Sequence, residues 1–322
     1  MSKRYSFLAV TLIVTATCAL ALSSQATTTT LVNDTWLDGT RTDPGSITYA
    51  ENNGTSSFDA DSDGNLESTW LSSSGAALTV PAPGDLRGTV PAGSLSMYTY
   101  FTQPGTAVTL ANVGDELKLT WQFTPNGTIA VNTSQGFNLA LGNSAVAGAA
   151  RNTSDSGSPQ TGNYTNSFAM FMNMSSTMGN GNSFQLRKWG VNANSAFLGT
   201  SGNWTAITNG VASGTTGYTV GTQYTFVYDL TMTAGGLQVV SSMSGGSIGG
   251  TGSISDTFVD PSITSVSYDT FDIRPSGNAT GASQIDTSLF KVDLITVPEP
   301  STVMLVGAGL GLMLSLVRRR RS

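Results

Sequence analysis

The sequence predicts an all-β protein, an antiparallel β-sandwich or jelly roll, with an apolar helix at each end. Three observations predict it. The long middle of the chain alternates apolar and polar residues with a period of two and shows almost no helical period. Gly, Asn and Pro turn signals punctuate that alternation at short intervals. The composition suits strands and loops: 41 Ser, 45 Thr and 37 Gly in 322 residues, against only 14 basic and 20 acidic side chains.

The first element lies outside the sandwich. Lys3 and Arg4 open the chain, residues 7–22 form an apolar run, and Ser24 and Ala26 place small residues three before and one before a cleavable bond. That order describes a signal peptide over residues 1–26, cut after Ala26 by signal peptidase, which would remove the single cysteine, Cys18. The body, residues 27–296, then reads as one sandwich domain. Its clearest strands are 117–123 (LKLTWQF), 168–174 (FAMFMNM), 224–232 (YTFVYDLTM) and 290–294 (FKVDL). Gly235-Gly236 reads as a hairpin turn into a strand at 237–240. Weaker candidates are 95–101, 137–141, 184–189 and 268–273. Turns are expected at Pro125-Asn126-Gly127, Thr161-Gly162-Asn163, Asn180-Gly181, Asn209-Gly210 and Pro275-Ser276-Gly277, and long loops at 152–162 and 241–255. No fixed-period repeat argues for a solenoid or propeller.

The last element, 297–322, combines three features. Pro298-Glu299-Pro300 precedes a seventeen-residue, mostly apolar span at 301–317, and Arg318, Arg319, Arg320 and Arg321 close it. A helix of that length spans about 25 Å, near the ~30 Å of a bilayer core, and the arginines keep their side in the cytoplasm. The body is therefore placed outside.

The order Pro-Glu-Pro, Gly-containing apolar span and terminal Arg cluster resembles the PEP-CTERM sorting signal of Gram-negative bacteria. The resemblance implies passage through the inner membrane, cleavage near the Pro-Glu-Pro motif by an exosortase, and release or attachment at the cell surface, in association with exopolysaccharide and biofilm. The body, from WLDGTR at 36–41 through VGDELKLTWQFTP, FNLALGNS, FDIR and SLFKVDLI, resembles the concanavalin A-like (laminin-G-like) jelly roll. That resemblance implies two sheets, one of which often serves sugars.

Composition excludes several chemistries. The chain has no His, which removes imidazole bases, Ser-His-Asp nucleophiles and His-ligated metals. One Cys excludes intrachain disulfides and thiolate metal sites. Residues 27–297 carry 8 basic and 19 acidic side chains, a net charge of −11, so a nucleic-acid partner is not expected. The paired carboxylates of a glycoside hydrolase are missing, since Glu51, Glu67 and Glu116 stand far apart in sequence; no catalytic residue is assigned, and an enzyme is not expected.

Two site types remain. Asp59, Asp61, Asp63 and Glu67, around Gly64, resemble the start of a calcium loop, because Ca²⁺ takes several oxygens from a tight turn; Trp70 occupies the twelfth position, where a bidentate Glu would stand. Ca²⁺ is thus the only cofactor the sequence suggests. Sugar stacking needs exposed rings, for which Trp204, Trp189, Trp70 and Tyr164 are the candidates, while Trp121 is assigned to the core. Three functions compete: a surface or matrix structural protein contacting exopolysaccharide, which is preferred; a carbohydrate-binding, lectin-like module; and a divergent glycoside hydrolase.

Overall fold

Leu117, Leu119, Trp121 and Phe123 are fully buried, while Lys118 between them is exposed. This is the signature of a strand with one face on a core and one toward solvent. In the computed structural model the pattern is repeated through two face-to-face sheets. The structure describes residues 25–42, 65–132, 134–144, 151–155, 157, 159, 164–178, 183–190, 197–199, 201–210, 212 and 214–297. Both expected apolar helices lie outside these residues. No helix among the described residues is long and apolar enough to cross a membrane.

The strands in chain order are β1 (Thr27–Asp34), β2 (Trp70–Ser72), β3 (Leu78–Ala82), β4 (Asp85–Thr89), β5 (Met97–Tyr100), β6 (Val108–Leu110), β7 (Glu116–Ile129), β8 (Phe137–Gly142) and β9 (Phe168–Met172). They continue with β10 (Phe184–Trp189), β11 (Trp204–Asn209), β12 (Tyr224–Thr233), β13 (Gly236–Ser244), β14 (Ser253–Asp260), β15 (Val266–Tyr268), β16 (Thr270–Pro275) and β17 (Ala282–Thr296). One sheet runs β14-β13-β12-β7-β17-β4-β3, with β1 also paired to β17. The other runs β11-β10-β9-β8-β16-β5-β2, and β6 pairs with β15 separately. Every pairing is antiparallel.

Aromatic rings hold the two sheets together. Trp121 is 5.8 Å from Phe137, Phe271 stacks on Phe290 at 5.2 Å, and Phe184 meets Phe226 at 6.5 Å. Each such pair adds to the burial of its area through edge or offset ring contact.

Two stretches expected as turn or loop turn out to be strand, one wholly and one at its ends. Pro125-Asn126-Gly127 lies inside β7. β12 pairs with β7 only as far as Phe123, so Pro125 falls where β7 has β17 on one side alone and its missing N–H breaks no ladder. Gly127 takes φ +68° beside an irregularity in the β7–β17 register. The Ser-rich stretch 241–255 is strand at its two ends, 241–244 in β13 and 253–255 in β14, which are in register from Leu237–Asp260 to Ser244–Ser253, and a loop at 245–252. Their connection holds five glycines with positive φ, at 245, 246, 249, 250 and 252, which is why so tight a turn forms. The stretch expected as one strand at 268–273 breaks at Asp269 into β15 and β16.

Candidate functional site

The long strand β17 places the first candidate region. Its later half lies between β7 and β1, and its final residue, Thr296, pairs with Thr27, the first residue of β1. Val297 follows, and its N–H donates to Asp115 Oδ1 at 2.9 Å. Asp115 is buried; its other oxygen accepts the N–H groups of Ala111 (3.0 Å) and Asn112 (2.8 Å). One carboxylate thereby ties the turn before β7 to the end of β17. Nothing in sequence proximity suggests it, because the partners are 182 residues apart.

Residues 296–321 match the PEP-CTERM protein-sorting motif. The motif implies export, a cell-surface or extracellular location and processing by an exosortase. Pro298, Glu299, Pro300 and Arg318 to Arg321, the residues expected to carry the PEP-CTERM signal, lie outside the described residues, as does all of the signal segment up to Ser24. Ala26, the expected cleavage residue, is exposed and immediately precedes β1. No curated protein matches the chain. Among solved structures it is similar to a Lotus tetragonolobus seed lectin (11% identity over 72% of this chain and 94% of that one, TM-score 0.38). It is also similar to the Emp47p carbohydrate recognition domain (12%, 72% and 90%, TM-score 0.40) and to the CBM2 module of the evolved Dit of Lactobacillus casei BL23 phage J-1 (13%, 85% and 99%, TM-score 0.41). These structural neighbours of the PEP-CTERM-bearing chain include legume-lectin jelly rolls.

The four rings expected as sugar platforms are all packed inside. Trp70 is fully buried between the sheets, edge-on to Phe290 at 5.0 Å and to Trp36 at 6.1 Å. Trp189, Trp204 and Tyr164 form a second apolar cluster with Phe171 and Phe197 on the outer face of the seven-stranded sheet. Trp204 meets Trp189 at 5.0 Å and donates its indole N–H to the Phe197 carbonyl at 3.2 Å; Tyr164 stacks on Phe197 at 4.0 Å. With exposures of 6% or less, these rings have no open face for a pyranose, so the expectation of platforms is corrected to packing. Their loop-like sequence settings misled because the outer sheet face is itself covered.

Beside that cluster runs a polar strip that sequence reading missed. Arg187 lies over the Phe171 ring at 4.1 Å, donates to Gln185 Oε1 at 2.7 Å and to Gln135 Oε1 at 2.5 Å. Gln185 passes a hydrogen bond to Asn209 at 2.9 Å. Asn138 and Arg274 continue the strip as register partners on β8 and β16. The signal was available: Gln185 and Arg187 alternate with buried Phe184 and Leu186.

Farther across the same sheet, Asp272 is fully buried between Tyr98 and Ala140. Ser96 Oγ donates to one of its oxygens at 2.6 Å, and the other has no partner among the described residues. Burial drives its carboxyl up to about 7, against the opposing pull of the Ser96 bond. Tyr98, whose oxygen accepts from the Asn152 amide at 2.6 Å, is pushed up to about 12, also by burial.

Of the calcium set, Asp59, Asp61 and Asp63 lie outside the described residues, and Glu67 is buried. No group of three or more acidic, His or Cys side chains gathers at metal-binding range among the described residues. The structure does gather carboxylates that the sequence separates: Glu116, Asp229 and Asp293 flank Lys118 on the outer face of the eight-stranded sheet. Burial, then Asp229, raises the Glu116 carboxyl above its ordinary value.

Proposed function

We propose that this chain is an exported structural protein of the cell surface or extracellular matrix, processed at its C-terminus by an exosortase and associated with exopolysaccharide. The observation that carries the reading is the PEP-CTERM motif at 296–321, which begins on the last residue of the sandwich's longest strand. Body and sorting signal meet without a spacer. The acidic body, at −11, suits a hydrated surface component that attracts counter-cations and stays soluble. No catalytic role is assigned to it. Fractionation of cells with and without the exosortase tests the reading: a shortened product in the surface or medium fraction is expected, made only when the exosortase is present. An unshortened chain held in the inner membrane of both strains would sink it.

A second reading, carbohydrate binding, is favoured by Gln135, Arg187 and Asn209, the members of the strip that keep exposure to solvent, since amide and guanidinium groups are partners for sugar hydroxyls. Glycan-array binding that disappears in Arg187→Ala would support it, and an array without signal would end it. Calcium at Asp59, Asp61, Asp63 and Glu67 belongs to either reading and is tested by calorimetric titration of the processed protein; absence of both heat and a melting shift removes it.

A further inference from the structure

We propose that the folded body restrains its own sorting junction, with Asp115 as the positioning residue, so that C-terminal processing waits on release of the β17 end. The inference rests on the reading that the motif is processed. Val297 N–H is the last backbone donor before Pro298, and Asp115 Oδ1 takes it at 2.9 Å. The bond is charge-assisted and the acceptor is buried, which places it among the stronger hydrogen bonds.

The clamp is itself anchored. Asp115 O accepts from Met232 N–H at 2.8 Å, and Gly114 N–H donates to Met232 O at 2.8 Å, fastening the turn to β12. The Val297 side chain rests on Gly114: a Cβ added there would stand 2.9 Å from Val297 Cγ2. Gly114 has φ +97°, so this close approach and the left-handed backbone both require glycine. Upstream of the clamp, β17 is paired on both edges, with β7 through Ile295 and with β1 through Thr296.

A protease that takes its substrate as an extended strand must pair with backbone groups beside the scissile bond. Here the groups on the N-terminal side of the motif, up to the Val297 N–H, are occupied by β1, β7 and Asp115. Cleavage close to Pro298-Glu299-Pro300 therefore draws on the fraction of molecules whose last residues have frayed, and removing the clamp raises that fraction.

The test is pulse-chase of the full-length precursor in cells containing the exosortase, with Asp115→Asn, Val297→Pro (which deletes the N–H donor but also changes the side chain and fixes φ) and Val297→Ala (which trims the same side chain and keeps the donor). Val297→Pro is expected to mature about tenfold faster than wild type, the fold-change for losing one hydrogen bond to a charged group, and Asp115→Asn, which keeps a neutral amide acceptor, is expected to mature faster by a smaller factor. Val297→Ala is expected to stay close to wild type. Val239→Ala, a core lesion on β13, three strands across the sheet from β17, controls for general loosening. Unchanged or slower maturation of Asp115→Asn and Val297→Pro overturns the clamp, as does equal acceleration by Val239→Ala. A wild-type chain that is never shortened fails differently, since the sorting reading itself then falls.

Discussion

Thr27 and Thr296 are antiparallel partners at the end of the β1–β17 ladder, so the first residue after the expected signal-peptide cut stands beside the first residue of the sorting motif. Directly opposed residues in such a ladder have Cα atoms about 4.5–5.5 Å apart, inside the range a disulfide bridges. The only native cysteine is Cys18. Thr27→Cys/Thr296→Cys is therefore expected to form one intrachain disulfide in the exported protein, read as a mobility shift on non-reducing gels and loss of free thiol. Two free thiols after oxidative export would contradict the register.

Asp272 gives a pH dependence with a definite sign. Its folded-state value of about 7 lies above the ~3.9 of an exposed Asp, so between those values the unfolded chain has released a proton that the folded chain keeps. The contribution to stability is present below about pH 4 and is lost as pH rises to 7. Asp272→Asn, which cannot ionise, is expected to match wild type most closely near pH 4 and to exceed it by a few kcal/mol at pH 8. Urea denaturation across that range measures the gap; a gap independent of pH would show that Asp272 is not held protonated.

Arg151 and Asp269 form a buried ion pair at 2.8 Å, with side-chain exposures of 5% and 0%. Arg151 also donates to Ser144 Oγ and to the Thr102 carbonyl, and lies over the Tyr100 ring at 4.6 Å. Arg151→Met leaves the Asp269 charge uncompensated and is expected to destabilise by about 3–5 kcal/mol. Adding Asp269→Asn is expected to recover part of that loss. A double-mutant cycle with zero coupling would remove the pair from the account of stability.

Trp204→Ala is expected to cost about 3–5 kcal/mol, as for other large rings deleted from packed interiors. Trp204→Phe is expected to cost less, with the Phe197 carbonyl losing its indole partner. Thermal melting checks both. A Trp204→Ala protein that melts like wild type would restore Trp204 as a surface ring.

Strands with one buried face were legible because the side-chain period of a strand is two. β7 and β12 announce themselves through Leu117, Leu119, Trp121, Phe123 and Tyr224, Phe226, Tyr228, Leu230. β1 was not legible: its first four residues are all Thr, and what makes it a strand is the free edge of β17 that it joins. The same limit misplaced Pro125, tolerated in β7 only because β12 stops two residues short of it. At the candidate sites, exposure was the quantity missing. A Trp in a Gly- and Asn-rich setting looks solvent-facing, yet Trp204, Trp189 and Tyr164 bury one another.

The chain by itself determined the all-β class, the positions of its alternating strands, the chemistries closed by having no His and one Cys, and the sorting address at its end. These are local or compositional properties, readable wherever the residues stand. The tertiary structure alone decided which edges pair, which rings lose their water and which distant groups meet. Asp115 and Val297 come together because the sheet order sets β7 and β17, which they flank, side by side, and sheet order is set by long-range burial that no local pattern encodes.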